Sequence, residues 1–166
     1  MSFLSRIFGE TSPRTSLAPL YAQIVAEGRD PAWYRDGQAP DTLDGRFDII
    51  AALLALVLLR LEDAGRHAET VLLTETFIAD MDGSLRQLGI GDLMVGKQVG
   101  RMMSALGGRL AAFRDAGALD AAVARNVFHD APPSDRAVRI VAARLEAFRD
   151  RLAALPIAQL LAGERP

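Results

Sequence analysis

The residues that most resemble a chemical site lie in the glycine-rich stretch GIGDLMVGKQVGRMMSALGG, residues 89–108. Gly91, Gly96 and Lys97 have the spacing of a Walker A loop, which binds nucleotide phosphates. That loop needs Ser or Thr after its lysine to ligate magnesium, and this chain has Gln98 there. The loop must also follow a buried strand, whereas the preceding residues have a helical pattern. A nucleotide-dependent switch is therefore a minor alternative.

Two other groups of polar residues suggest metal or acid–base chemistry but do not have the required spacing. DMDGS, residues 80–84, resembles the start of an EF-hand calcium loop, but the twelfth position, where that loop has a glutamate, is Gly91. His67 and His129 are far apart and have no ligand three or four residues later. The absence of cysteine excludes disulfides, thiolate metal sites and a cysteine nucleophile. We predict a protein that is not an enzyme and uses no cofactor and no metal.

Length, charge and hydropathy restrict the class of protein. A chain of 166 residues can form one domain with a substantial core. Its net charge of −2 provides no basic excess, so we predict no specific nucleic-acid recognition. The longest apolar run, residues 49–59, has 11 residues, whereas a membrane-spanning helix needs about 20. We therefore predict a cytoplasmic protein with a buried central helix.

The N-terminal sequence MSFLSRIFGE has one arginine and a broken apolar stretch, so it does not resemble a secretory signal. Its apolar residues fall on one side of a short helix, which would suit contact with the cytoplasmic surface of the inner membrane. Packing on the domain and flexibility are the alternatives. We predict residues 1–14 as this separate segment and residues 15–163 as a single all-helical domain.

The pattern of apolar residues predicts the secondary structure. They recur every three or four positions, which indicates helices, and no strand-like alternation occurs. Helices are predicted from Ser16 to Gly28, from Asp41 or Asp44 through the apolar run, from Glu69 to Gly89, across the glycine-rich stretch, within DAGALDAAVARNVF, and from Val138 to Leu155. The predicted fold class is all-α, a single compact bundle of about five to seven helices. The last helix has an apolar seam that packs inside the domain or, alternatively, dimerises a helical adaptor.

The glycines of residues 89–108 need a physical reason, because each glycine inside a helix costs about 1 kcal/mol relative to alanine. At about 100° per residue, Gly96, Gly100 and Gly107 share one narrow stripe with Ser104. A stripe of small residues lets another helix backbone approach closely. That second helix belongs either to the same domain or to a partner protein. The bare backbone is thus predicted to contact a helix rather than a phosphate.

Several blocks together resemble the ubiquinol–cytochrome c chaperone family, also called cytochrome b synthesis and assembly factor. They are LYAQIVAEGRDPAWY, PDTLDGRFD, DMDGSLRQLGIGDLMVGKQVGRM and ARNVF, in that order. The resemblance implies an all-helical, non-enzymatic chaperone that binds newly made cytochrome b and assists assembly of the ubiquinol–cytochrome c reductase, respiratory complex III. It also implies a small co-chaperone and the ribosome as partners, since mitochondrial members act with both.

The resemblance assigns structural or binding roles to residues of two blocks. These are Asp44, Gly45, Arg46, Phe47 and Asp48 in the first, and Asp80, Asp82, Gly83, Gly89, Gly91 and Asp92 in the second. The chain departs from the family at Leu53, where members often have histidine, and at Leu106 and Gly107, where they often have an aromatic pair. Any role of that histidine or those aromatics does not transfer to this chain.

A set of residues around the glycine stripe is predicted to bind the client or a partner. Glycine permits close approach of an apolar helix, methionine adapts to varied apolar shapes, and basic residues suit acidic loops or lipid headgroups. The predicted contacts are Arg86, Gly96, Lys97, Gly100, Arg101, Met102, Met103 and Ser104. The predicted localisation is cytoplasmic, with contact to the membrane surface as an open possibility.

Overall fold

The structure is a computed structural model and describes residues 13–114, 119–128 and 133–166. These residues form helices and connecting turns without strands, which confirms the all-α prediction. The helices are α1 (Pro13–Gly28), α2 (Ala32–Arg35), α3 (Leu43–Asp63), α4 (His67–Gln87), α5 (Asp92–Arg114), α6 (Leu119–Val127), α7 (Asp135–Ala154) and α8 (Ile157–Leu161). In this described part, α2 and α8 are single short turns and the other six helices form the bundle. The predicted N-terminal segment lies outside the described residues, except that residues 13 and 14 belong to α1.

The apolar run forms the middle of α3, which is the central helix of the bundle. Every residue from Ile49 to Leu58 is buried, and α3 packs against α1, α4, α5, α6 and α7. A helix that is apolar all round must be covered on all sides, as this one is. At its far end the Arg60 guanidinium donates from Nε to the Leu152 carbonyl oxygen at 3.2 Å. Across the described residues, none of the helices has the length and apolar character to cross a membrane.

The start of α3 differs from the prediction. Thr42 is the N-cap, and its side-chain oxygen accepts a hydrogen bond from Gly45 N at 3.1 Å. Neither Asp41 nor Asp44 fills this role. The Asp41 carboxylate instead accepts from Arg46 Nε at 2.7 Å, and Asp44 lies in the first turn, where a negative charge favours the helix dipole. Threonine and aspartate are both favoured N-cap residues, with aspartate ahead, so the sequence pattern could not single out Thr42.

Other helix ends follow their local sequence signals. Helix α1 ends at Gly28 as predicted but begins at Pro13, ahead of Ser16, because proline is favoured in the first turn. The Asp30 carboxylate accepts from Ala32 N at 2.9 Å and so supports the start of α2. These contacts involve near neighbours in the chain, which is why the sequence could predict most of them.

The apolar seam of α7 is inside the protein. Val141, Leu145, Phe148 and Leu152 are buried, and α7 packs against α3 and α6 of the same chain. A helical adaptor that dimerises through this seam would need the seam to be exposed, so the structure does not support that alternative. The seam has the spacing of a coiled coil because any two packed helices meet every three or four residues.

Candidate binding surface

A tight corner joins α4 to α5. Gly89 follows α4 with a φ of +78°, a left-handed conformation that glycine adopts without steric penalty. Its N–H donates to Arg86 O at 2.9 Å, and Ile90 N donates to Leu85 O at 3.2 Å, which closes the last turn of α4. Gly91 O then accepts from the backbone N–H of the first turn of α5. Gly89 was correctly predicted as the end of this helix.

An ion-pair cluster ties the two sides of the corner together. Arg86 Nε donates to Asp82 Oδ2 at 2.7 Å, the pair expected from their spacing of four residues. Arg86 also pairs with Asp92, in the first turn of α5. Hydrogen bonds to Asp82 and then Asp92 raise the pKa of Arg86 above its usual value. The cluster is exposed, so it orients the corner more than it stabilises the fold.

Three large apolar side chains at the corner face solvent. Leu93 is 88% exposed, Leu88 59% and Met94 52%. Isolated exposed apolar residues are common, but three within seven residues at one corner form a patch typical of an interaction site. This patch was not predicted from the sequence, although three apolar residues lie close to the predicted helix end at Gly89. We call Leu88, Leu93 and Met94 the apolar corner.

The small residues of α5 continue from this corner along the solvent side of the helix. Gly96, Gly100, Ser104 and Gly107 are exposed, and we call them the α5 stripe. A Cβ atom built on any of the three glycines, or on Gly108, would meet no atom within 4 Å. No helix of the described part of the chain therefore packs on the stripe. Within the described residues, the stripe is therefore open to a helix from a partner.

Basic residues border the α5 stripe. Lys97 and Arg101 are exposed, and neither forms an ion pair with another described residue. With Arg86, they were predicted as a basic rim around the glycines. The structure places all three on exposed positions of the same two helices. The charges of Lys97 and Arg101 are thus accessible to acidic groups outside the chain, whereas Arg86 already pairs with Asp82 and Asp92.

The two methionines predicted to join the glycines are both half-buried. Met103 packs against the hydrophobic core. Met102 lines cavities beside α3.

The family block at the start of α3 has structural contacts. Gly45 lies directly against the Pro40 carbonyl, and a Cβ there would overlap the carbonyl oxygen. The Phe47 ring packs on Phe77 with centroids 5.6 Å apart. Arg46, besides its pair with an acidic neighbour, stacks over the Tyr34 ring at 5.7 Å. These contacts fix the position of α3.

Two acidic residues of the calcium-like motif form other contacts. The Tyr21 hydroxyl donates to Asp80 Oδ2 at 2.8 Å and so joins α1 to α4. Asp82 pairs with Arg86, as described above. Across the residues that the structure describes, no group of three potential metal ligands occurs. Gly83 and Gly91, from the same block, have open space beside their Cα atoms.

Asp48, in the family block at the start of α3, forms a buried ion pair that the spacing of residues in the sequence did not predict. Its carboxylate accepts from Arg109 Nη2, and the same nitrogen donates to Asn126 O at 2.6 Å. Asp48 and Arg109 are 61 residues apart and belong to α3 and α5. The pair joins those helices to α6 beneath the surface.

Two comparisons place this chain beside known proteins. A family model described as ubiquinol–cytochrome c chaperone matches residues 35–165. Among solved structures, the chain is similar to the crystal structure of the Cbp3 homolog from Brucella abortus, with 30% sequence identity and a TM-score of 0.76. The match covers 98% of this chain and 95% of that chain. Comparison with curated proteins gave no match.

Proposed function

Because this chain belongs to the ubiquinol–cytochrome c chaperone family, we propose that it binds newly made cytochrome b and assists assembly of respiratory complex III. The proposed action is non-enzymatic. The protein covers apolar helix surface of its client until the other subunits of the ubiquinol–cytochrome c reductase take its place. A small co-chaperone and the ribosome are further partners suggested by the family resemblance.

The observation that carries the proposal is the continuous exposed surface formed by the apolar corner and the α5 stripe. Leu93 precedes Gly96, Gly100 and Gly107 on one side of α5, at the helical spacing of three, four and seven residues. Cytochrome b is a bundle of transmembrane helices, whose surfaces are apolar. A transmembrane helix of that kind packs closely on small residues, and Leu93 supplies apolar contact at one end.

The basic rim gives the proposed surface a second contact. Lys97 and Arg101 border the stripe, and Arg86 lies at the corner. Loops that connect transmembrane helices carry polar and charged residues, and the lipid surface near an emerging client is anionic. We propose that these cations contact acidic loops of the client or lipid headgroups at the cytoplasmic side of the inner membrane. The protein would then act as a cytoplasmic, membrane-peripheral chaperone.

Site-specific photo-crosslinking in cells tests the client and the surface together. A photoreactive residue is placed at position 93 or 97, and the adducts are identified by mass spectrometry. The matched control is position 147, an exposed alanine on α7. We expect cytochrome b adducts from positions 93 and 97 and none from position 147.

The outcomes separate the client from the surface. Equal cytochrome b adducts from all three positions would support the client and reject the surface. Adducts without cytochrome b, in cells that produce it, would reject the client.

A second experiment is Leu93→Glu, which places a charge on the apolar corner without disturbing buried contacts. This variant should lower the level of assembled complex III and leave other respiratory complexes unchanged.

A further inference from the structure

A cavity beside α5 gathers three arginines, of which Arg109 and Arg125 have no part in the proposed client surface and Arg101 also borders the α5 stripe. Its volume is about 350 Å³, and it lies between the start of α3, the middle of α5 and the end of α6. Arg101, Arg109 and Arg125 line it, together with the amide side chains of Gln98 and Asn126. Arginine and amide side chains commonly donate hydrogen bonds to the oxygen atoms of bound ligands.

The most buried of these arginines has donors without acceptors. The Arg109 side chain is 2% exposed. Its Nη2 donates to Asp48 and Asn126, but Nε and Nη1 are buried with no acceptor among the residues that the structure describes. Nε carries one N–H and Nη1 carries two. Buried donors without acceptors are rare in folded proteins and call for an explanation.

The charge around Arg109 is also incompletely balanced. Burial lowers the pKa of Arg109 below its usual value, and the Asp48 carboxylate offsets this only in part. Arg101 and Arg125 are exposed and form no ion pair with any described residue. Asp44 is the other acidic residue of the lining. Three guanidinium groups thus meet two carboxylates, which leaves one positive charge in excess at the cavity.

We propose that this cavity binds the oxyanionic group of a small molecule, a phosphate or a carboxylate. Arg101 and Arg125 contact the anion from the open side, and Arg109 supplies positive charge and free N–H donors from the buried side. The cavity is several times larger than one such group, which leaves room for the rest of a small organic molecule. The glycines of the α5 stripe do not line the cavity, and Arg101 lies between the two surfaces.

Calorimetry on the full chain tests this site with inorganic phosphate and with succinate as separate probes. Each titration is run at constant ionic strength with chloride as the reference anion, because screening alone changes charge effects. We expect saturable binding of at least one probe with a Kd of about 1 mM or below. Saturation by phosphate alone identifies a phosphorylated ligand class, and saturation by succinate alone identifies a carboxylate ligand class.

NMR spectroscopy of the same samples locates the ligand. A buried arginine gives an observable side-chain Nε–Hε signal, and that of Arg109 should shift along the titration. The shift should saturate with the same Kd as the heat signal. Heat without any change at Arg109 would place binding elsewhere and overturn the proposal.

A pair of charge variants provides the specific control. Arg101→Gln combined with Arg125→Gln removes two exposed positive charges from the cavity and leaves the buried Asp48–Arg109 ion pair intact. Binding should weaken by about tenfold or more, since hydrogen bonds between charged groups are lost. Arg136→Gln combined with Arg139→Gln changes the net charge equally at exposed positions of α7. This control should stay within about twofold of the parent chain, as expected for surface charges at a distance.

Two results would reject the site. The first is no saturable binding of phosphate or succinate beyond that of chloride. The second is an equal loss of affinity in the two double variants, which would mean a general effect of net charge. Because the cavity variants alter only exposed side chains, a loss of binding would not come from a loss of the fold, and circular dichroism of each variant verifies this.

Discussion

Two groups of glycines in this molecule have opposite surroundings. Around the starts of α2 and α3, glycines lie where no side chain fits: a Cβ on Gly28 would be 2.7 Å from Ile50 Cγ1, and one on Gly37 would be 2.6 Å from Trp33 O. On α5, the glycines of the stripe have no atom within 4 Å of the same position. The first group is explained by packing within the chain. The second is not explained by any packing among the described residues.

The difference separates stability from binding. A glycine that allows two backbones to touch contributes to the fold, and its replacement creates overlap. A glycine in an exposed helix destabilises that helix, and its replacement by alanine removes the destabilisation. Such residues suggest a surface whose shape serves a partner. Substitutions at both kinds of position test this division through their effects on stability.

Asp48→Ala should be the most destabilising change, at about 3–5 kcal/mol, because it leaves the buried Arg109 guanidinium without its carboxylate. Urea unfolding followed by circular dichroism measures the loss. A double variant, Asp48→Leu with Arg109→Met, should be more stable than Asp48→Ala, since no buried charge remains. A loss below about 1 kcal/mol for Asp48→Ala would show that the pair is not buried as described.

Gly45→Ala should destabilise the protein by about 3 kcal/mol, because the new methyl group would overlap the Pro40 carbonyl at the start of α3. Gly96→Ala on the α5 stripe is the matched comparison, and it should not destabilise. The measurement is the urea midpoint of both variants beside the parent chain. Equal effects of the two substitutions would remove the distinction between closed and open glycines.

Tyr21→Phe should cost about 1 kcal/mol, an intermediate effect, because it removes the hydrogen bond that joins α1 to Asp80 of α4. The measurement is the free energy of unfolding in urea at neutral pH. A neutral substitution would mean that the hydroxyl is equally well satisfied by water in the folded protein.

The same variant tests a pH dependence. Burial, together with the hydrogen bond to Asp80, raises the pKa of Tyr21 in the folded protein. The unfolded chain therefore loses this proton first, near its ordinary pKa of about 10. The resulting stabilisation is complete below that pH and decreases as the pH rises above it. Between about pH 9 and 11, the parent chain should lose stability faster than Tyr21→Phe. Parallel curves would contradict the burial of this hydroxyl.

Gly100→Ala and Gly107→Ala should have the smallest effect on stability and the opposite sign. Each should stabilise the protein by about 0.5–1 kcal/mol, as expected for alanine at an open helical position. Gly83→Ala, at an open position of α4, should give a similar gain. The two stripe variants should also reduce cytochrome b crosslinking at position 97. Unchanged crosslinking would indicate that the client does not approach the α5 backbone closely.

Local sequence signals predicted much of the fold. The run from Ile49 to Leu58 was correctly placed at the centre because a helix that is apolar all round can only be buried. Gly89 correctly ended its helix, and Asp82 and Arg86 have the spacing of four residues that brings side chains together on a helix. Each of these depends on neighbours in the chain, and helical geometry fixes where such neighbours lie.

The candidate sites were predicted less completely. The stripe was identified by its spacing, but spacing alone could not decide whether a helix of the same chain covers it. Met102 and Met103 were grouped with the glycines, although the packing of α5 turns them towards the core and the inner cavities. The apolar corner was missed, because an exposed leucine and a buried leucine are the same letter in the sequence.

The helical class, the central helix, the main helix ends and the small-residue stripe could all be predicted from the sequence. These properties depend on residue type and on spacings within a few turns of helix. The outward position of the stripe and the contact of Asp48 with Arg109, residues 61 positions apart, are visible only in the folded protein. Contacts at such separations depend on how helices are arranged in space, and the arrangement is a result of packing the whole core.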